Sequence, residues 1–240
     1  MNQIKFVTKG NAKLKDMFTF SLISGYSCPF ADECLSKANI QTGKISDGPN
    51  TKFRCFSASQ EALYPNLRKH RNNNFEALRK LKSKEAMAKA LIEALPPVKK
   101  NGAGTIIRLH VAGDFFNQNY FDAWLEVARQ NPKRLFYAYT KSLQYWVNRI
   151  GEIPNNFKLT ASKGGKLDHL IDIFNLKYVE VVFSTQEAID KDLEIDHDDS
   201  HAYNYDLPFT LLIHGTQPKG SKAAEAKKLL AKKGWTGYHN

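Results

Sequence analysis

Three cysteines are the residues best suited to chemistry in this 240-residue chain, and all of them lie before position 56. In Cys28-Pro29-Phe30-Ala31-Asp32-Glu33-Cys34 five residues separate the first pair, and Cys55 follows after twenty more, within Phe53-Arg54-Cys55-Phe56. Three thiolates brought together can hold a [4Fe–4S] cluster and leave its fourth iron open for a ligand. They can equally hold zinc, with His70 or a water as the fourth partner. The bland alternative is three ordinary buried cysteines, because a free cysteine packs as a small hydrophobe. Gly25, Pro29, Asp32 and Glu33 around the pair have the composition of a loop and not of a core. An odd count leaves at least one thiol unpaired, and nothing points to an oxidising compartment.

A second group is Arg108-Leu109-His110-Val111-Ala112-Gly113-Asp114-Phe115-Phe116. Here a β-rich run ends in Gly-Asp, which sets a carboxylate beside backbone amides that Gly113 opens. Asp114 can accept from the cationic amine of an amino-acid-like cosubstrate, or it can cap the following helix. Other β-rich runs also end in polar or small residues: Tyr139-Thr140-Lys141-Ser142, Ser162-Lys163-Gly164-Gly165, Ser184-Thr185 and His214-Gly215-Thr216-Gln217. Gly164-Gly165 suits either a phosphate or carboxylate cradle or a tight turn. Asp196-His197-Asp198-Asp199-Ser200-His201 has no regular ligand spacing and is expected to be a solvated loop. No Gly-x-Ser-x-Gly, P-loop, dinucleotide fingerprint or His-Glu-x-x-His occurs.

The elements that must position these residues alternate. Six β-rich runs, Phe18–Ser24, Thr105–Ala112, Arg134–Thr140, Phe157–Ser162, Tyr178–Ser184 and Phe209–His214, are each followed by a stretch of helical character. Asn117–Gln130 carries Tyr120, Phe121, Trp124, Leu125 and Ala128 at helical spacing, and Ser221 is a fitting N-cap for the helix ending at Lys233. Such alternation predicts an α/β fold with a parallel sheet. The runs themselves are amphipathic: Ile107, Leu109 and Val111 oppose Arg108 and His110; Leu159 and Ala161 oppose Lys158, Thr160 and Ser162; Val179, Val181 and Phe183 oppose Glu180; Leu211 and Ile213 oppose Thr210 and His214. A doubly wound sheet buries both faces, so one polar face predicts a partial (β/α)6 barrel instead, with helices outside and a polar interior. One domain over 1–240 is expected, with 56–104 as a helical expansion of the first crossover, in two stretches (59–81 and 83–95), the first broken by Pro65 and by Asn72-Asn73-Asn74. In a β/α barrel the loops after the strands build the active site.

The net charge of +11 is uneven. Residues 52–100 hold twelve Lys or Arg against four Glu, 219–233 hold six Lys against Glu225, and 185–206 hold eight acids against Lys191. A basic face suits a nucleic acid or nucleotide partner, and otherwise only solubilises the surface. No run of eighteen apolar residues is present and no secretory leader opens the sequence, which predicts a cytoplasmic protein with no membrane partner.

Over nearly its whole length the chain resembles phage proteins that carry a gene product 88 domain. The likeness rests on Phe20-Ser21-Leu22, Gly25-Tyr26-Ser27-Cys28-Pro29, Phe53-Arg54-Cys55, Tyr64-Pro65, His110 to Phe116, Tyr137-Ala138-Tyr139-Thr140-Lys141 and His214-Gly215-Thr216-Gln217-Pro218. It implies a phage origin and hence a host-cell cytoplasmic location. More loosely, six β/α units with three cysteines after the first strand resemble the radical S-adenosylmethionine enzymes. That superfamily usually has three and two residues between its cysteines, against five and twenty here. The resemblance implies a [4Fe–4S] cluster on Cys28, Cys34 and Cys55, and S-adenosylmethionine at Gly113 and Asp114 with Arg108, Ser162 and Lys163 around it. His110, Tyr139, Lys141 and His214 would act on a target, for which the basic crossover suggests a nucleotide or nucleic acid. The rival expectation is a zinc-stabilised nucleic-acid-binding protein without catalysis, with Tyr64, Phe75, Tyr145 and Trp146 available for stacking.

Overall fold

The computed structural model describes residues 4–8, 14, 16–235, 237 and 238. In chain order the elements are β1 (Phe18–Phe20), β2 (Ser36–Ala38), β3 (Ile45–Asp47), α1 (Phe56–Leu63), α2 (Pro65–Arg79), α3 (Lys84–Ala94), β4 (Ile106–Leu109), α4 (Gln118–Gln130), β5 (Leu135–Thr140), α5 (Leu143–Val147), β6 (Phe157–Ser162), α6 (His169–Ile173), β7 (Tyr178–Val182), α7 (Thr185–Asp190), α8 (Ser200–Asn204), β8 (Phe209–Leu212) and α9 (Lys222–Lys232). The six expected strands form one parallel sheet in the order β1-β4-β5-β6-β7-β8. Among the described residues β1 and β8 do not pair with each other, β1 being bridged by Val7 and β8 by Ile195, so the sheet is open. The short antiparallel β2–β3 hairpin between Cys34 and Cys55 was not expected.

One face of the sheet carries the main core. Phe18, Phe20, Ile107, Leu109, Phe136, Ala138, Phe157, Leu159 and Ala161 pack with Trp124 and Phe121 of α4 and Leu91 of α3. The strand order follows the chain without reversal, and right-handed crossovers then put connecting helices on this same face. The opposite face bears Arg108, Tyr137, Tyr139 and Thr160, and α8 lies across it over β5 and β6.

Two expectations about faces are corrected. In-register neighbours in a parallel sheet share a face. Val179 pairs in register with Phe209 and packs with Tyr137, so it lies on the Arg108 face, whereas Glu180 points the other way to Lys191 at 3.0 Å and Lys163 at 3.7 Å. The parity of β7 and β8 was unreadable because Tyr178, Val179, Val181 and Val182 are apolar on both sides, and a one-residue slip exchanges the faces. His110 also leaves the Arg108 face. Its φ of +57° breaks the alternation, and its ring packs 4.4 Å from that of Phe115.

The basic crossover contains three helices, not two. Pro65 divides them as expected, but as the first residue of α2 it starts a helix, where a missing N–H costs nothing. Asn72-Asn73-Asn74 does not interrupt α2, because Asn74 is fully buried and its amide bonds the backbone of Lys5 and Ser21. Arg68 and Arg71 are buried beside it, so part of the basic charge of this crossover faces inward.

Candidate functional site

The two cysteine-bearing segments are anchored to the carboxyl ends of the strands. After β1, Leu22 N–H donates to the Ala112 carbonyl at 2.9 Å, and Ser27 sits against the turn after β4. Gly113 permits this contact: its φ is +82°, and a Cβ there would lie 2.5 Å from Ser27 Oγ and 2.7 Å from Leu22 Cβ. The loop then crosses to the end of β6, where Glu33 N–H donates to Gly164 and Lys166 N–H donates to Phe30. After the hairpin, Cys55 N–H donates to Ser36 Oγ at 3.2 Å and Cys55 becomes the N-cap residue of α1. That helix is tied to two strand ends, by Ser57 Oγ to the Val111 carbonyl at 2.7 Å and by Ser59 Oγ to the Thr216 carbonyl at 3.1 Å. Gln217 completes the bridge by exchanging hydrogen bonds with the Arg54 backbone.

Cys28, Cys34 and Cys55 are all free and half-buried. They share one electrostatic neighbourhood. Burial pushes the Cys28 thiol well up, and Asp114, Cys55 and Cys34 push it further, against a hydrogen bond from Gly25 N–H at 3.3 Å. Burial followed by Cys34 raises Cys55 to about 11, against hydrogen bonds from the Ala58 and Ser57 amides at the start of α1. Thiols crowded in this way favour deprotonation only when a cation enters among them. Behind α1, Glu61 accepts from Ser24 N–H and Oγ–H and from Arg71 at 2.9 Å, fully buried. Burial lowers the Arg71 guanidinium, and Glu61 and then Cys55 act against that.

The donor chemistry of three thiols with backbone N–H groups aimed at sulfur fits an iron–sulfur or zinc centre. The geometry is less complete. Among the described residues no three His, Cys, Asp or Glu side chains are gathered as a ligand set. His70 is hydrogen-bonded to the Lys5 backbone and joins no such set.

Asp114 is buried and does not cap α4, since Asn117 Oδ1 accepts from Tyr120 N–H instead. Its carboxylate accepts from Phe115 N–H at 2.7 Å, Thr140 Oγ at 2.6 Å and Lys141 N–H at 2.8 Å, which locks the ends of β4 and β5 together. Burial raises its pKa and these donors oppose the rise.

Several expected site residues are already engaged. Lys141 Nζ donates to Ser162 O and Oγ, both at 2.8 Å, and to Lys163 O at 2.5 Å, so it braces β5 against β6. The Lys163 ammonium lies 4.0 Å from the Tyr178 ring centre. The Gly164-Gly165 cradle holds a carboxylate of the chain itself, that of Asp168, at 2.7 and 2.9 Å. His110 is buried among aromatic rings with Nε2 3.1 Å from the Tyr120 hydroxyl and, among the described residues, no partner for Nδ1, and burial pushes its pKa down to about 3. His214 Nδ1 bonds the Leu212 carbonyl.

The 196–201 stretch is not a solvated loop. Asp196 and Asp199 are buried, and Asp199 accepts from Arg108 Nη1 and, at 3.0 Å, from the Tyr137 hydroxyl. Burial works against the Arg108 charge, but Asp199 outweighs it and holds the guanidinium above its ordinary value. A buried cation on the inner face needs a buried anion, and the acidic loop supplies it. The Glu61–Arg71 pair was also missed, although Arg68, Arg71, Asn74 and Leu78 form one stripe at helical spacing on α2.

The model of the gene product 88 family matches residues 4–233. The chain belongs to the gene product 88 family. A relative, the Gene 88 protein of Mycobacterium phage L5, is 26% identical over 145 residues, which cover 58% of this chain and 54% of the relative. The chain thus spans about half the length of the curated relative it matches. No solved structure matches this family member. No helix among the described residues is long and apolar enough to cross a membrane.

Proposed function

We propose that this gene product 88 protein is an iron–sulfur enzyme of the host cytoplasm that resembles radical S-adenosylmethionine enzymes. The reading rests chiefly on three free cysteines carried by segments anchored to the carboxyl ends of β1 and β4, with the buried Asp114 at the end of β4. Cys28, Cys34 and Cys55 would hold a [4Fe–4S] cluster. When bound, that cluster supplies the electron for reductive cleavage of a sulfonium C–S bond. Gly25 N–H and the first amides of α1 would stabilise the thiolates, and Arg71 would offset their charge. Asp114, held rigid by three donors, keeps an acceptor position for the amino group of the cosubstrate. Gly113 keeps that carboxylate close to Cys28. Lys141, Ser162 and Lys163 fix strand ends and the Tyr139 hydroxyl is buried, which leaves His214 as the side chain to face a target. The open sheet is proposed to curve as a partial barrel, with α1 and the 214–217 loop spanning the gap between β1 and β8.

The test is cleavage of S-adenosylmethionine by anaerobically reconstituted, dithionite-reduced protein, followed by chromatography. Formation of 5′-deoxyadenosine and methionine supports the reading. Iron uptake without cleavage reduces it to a sensing or structural cluster, and zinc uptake alone replaces it with a zinc-stabilised protein.

A further inference from the structure

We infer that a cavity of about 290 Å³, between α1, the loop after β8 and the residues Trp235, Gly237 and Tyr238, is a binding site for a neutral heteroaromatic ring of nucleobase size. It lies on the Arg108 face of the sheet and contains none of the three cysteines, although Cys55 directly precedes Phe56 in its wall. The inference therefore does not rest on the metal reading, and metal-free protein suffices to test it.

Three observations choose the ligand. The wall is aromatic: the His214 ring lies 5.2 Å from that of Phe56 and 5.0 Å from that of Tyr238, and Trp235 lies 4.8 Å from Tyr238. Such rings favour a flat π-system over a flexible chain. Arg108 also lines the cavity, where its side chain, 16% exposed, offers a guanidinium donor. An acyl chain would leave that donor unmatched, which is costly. A second anion is not required, because Asp199 already faces the guanidinium. A ring nitrogen or exocyclic carbonyl is the neutral acceptor that fits. Finally, Leu63 and Tyr64 are among the lining residues, yet are 65% and 59% exposed, an apolar rim that a ring can cover.

The protein carries its own reporter. Of its three tryptophans only Trp235 lines the cavity, since Trp124 and Trp146 belong to the core. Adenosine, guanosine, cytidine and uridine are titrated against tryptophan emission and by calorimetry, with decanoate as the apolar comparison. At least one nucleoside should quench saturably. Trp235→Phe should lose the optical signal and keep the calorimetric one. Val111→Phe, which fills the cavity, and Thr216→Phe, which narrows its exposed side, should each weaken calorimetric binding by about tenfold or more. The two variants guard against one failing to fold. Absence of binding by all four nucleosides, binding unchanged in both folded variants, or binding of decanoate alone overturns the inference.

Discussion

Arg108 and Asp199 meet on the inner face of the sheet, 91 residues apart in sequence, with the Tyr137 hydroxyl donating to the same Asp199 oxygen. Removing one member of a buried pair leaves an uncompensated charge, typically costing about 3 kcal/mol or more. Asp199→Asn should therefore lower the denaturant midpoint strongly. The double change Arg108→Met with Asp199→Leu should recover most of that loss. A solvated acidic loop would give no effect in either.

His110 sets an acid limit on stability. Its folded pKa of about 3 lies below its ordinary 6.5, so the unfolded chain takes up the proton first. The stability that its neutral form contributes is present above pH 6.5 and is lost as pH falls towards 3, by about 1.4 kcal/mol per pH unit. His110→Asn removes the titration and tolerates the positive φ. Urea midpoints between pH 7 and 4 should fall less steeply for the variant. Parallel slopes would show that His110 is solvated in the folded protein.

Gly113→Ala forces a Cβ to within 2.5 Å of Ser27 Oγ at a φ that L-residues avoid. A cost of about 1–3 kcal/mol is expected. The loop bearing Cys28 should also loosen, seen as faster alkylation of Cys28 by iodoacetamide than in the parent. An unchanged rate would mean that the Gly113 contact does not hold the thiol loop.

The sheet was legible because each of its six strands is a short run rich in apolar and β-branched residues with a helix behind it. Asp114 and the cysteines were legible as loop residues at strand ends. What escaped depends on contacts distant in sequence. Nothing local to Asp199 reveals that Arg108 needs it, and a stretch of eight acids looks solvated until its partner is known. The sequence offers Lys141 as a residue acting on a target, but it cannot show that three carbonyl and hydroxyl oxygens surround its ammonium. The hairpin escaped because Ser36–Ala38 and Ile45–Asp47 are three residues each, too short for alternation to register. The parity of β7 failed where both faces are apolar.

The most direct test of the proposed cluster site is iron and sulfide per chain, with the visible spectrum, after anaerobic reconstitution of the parent and of Cys28→Ser, Cys34→Ser and Cys55→Ser. The parent should turn brown and hold about four iron and four sulfide, and each variant should lose most of both while remaining folded. Iron absent from the parent, or retained in full by any one variant, contradicts a cluster held jointly by the three thiols.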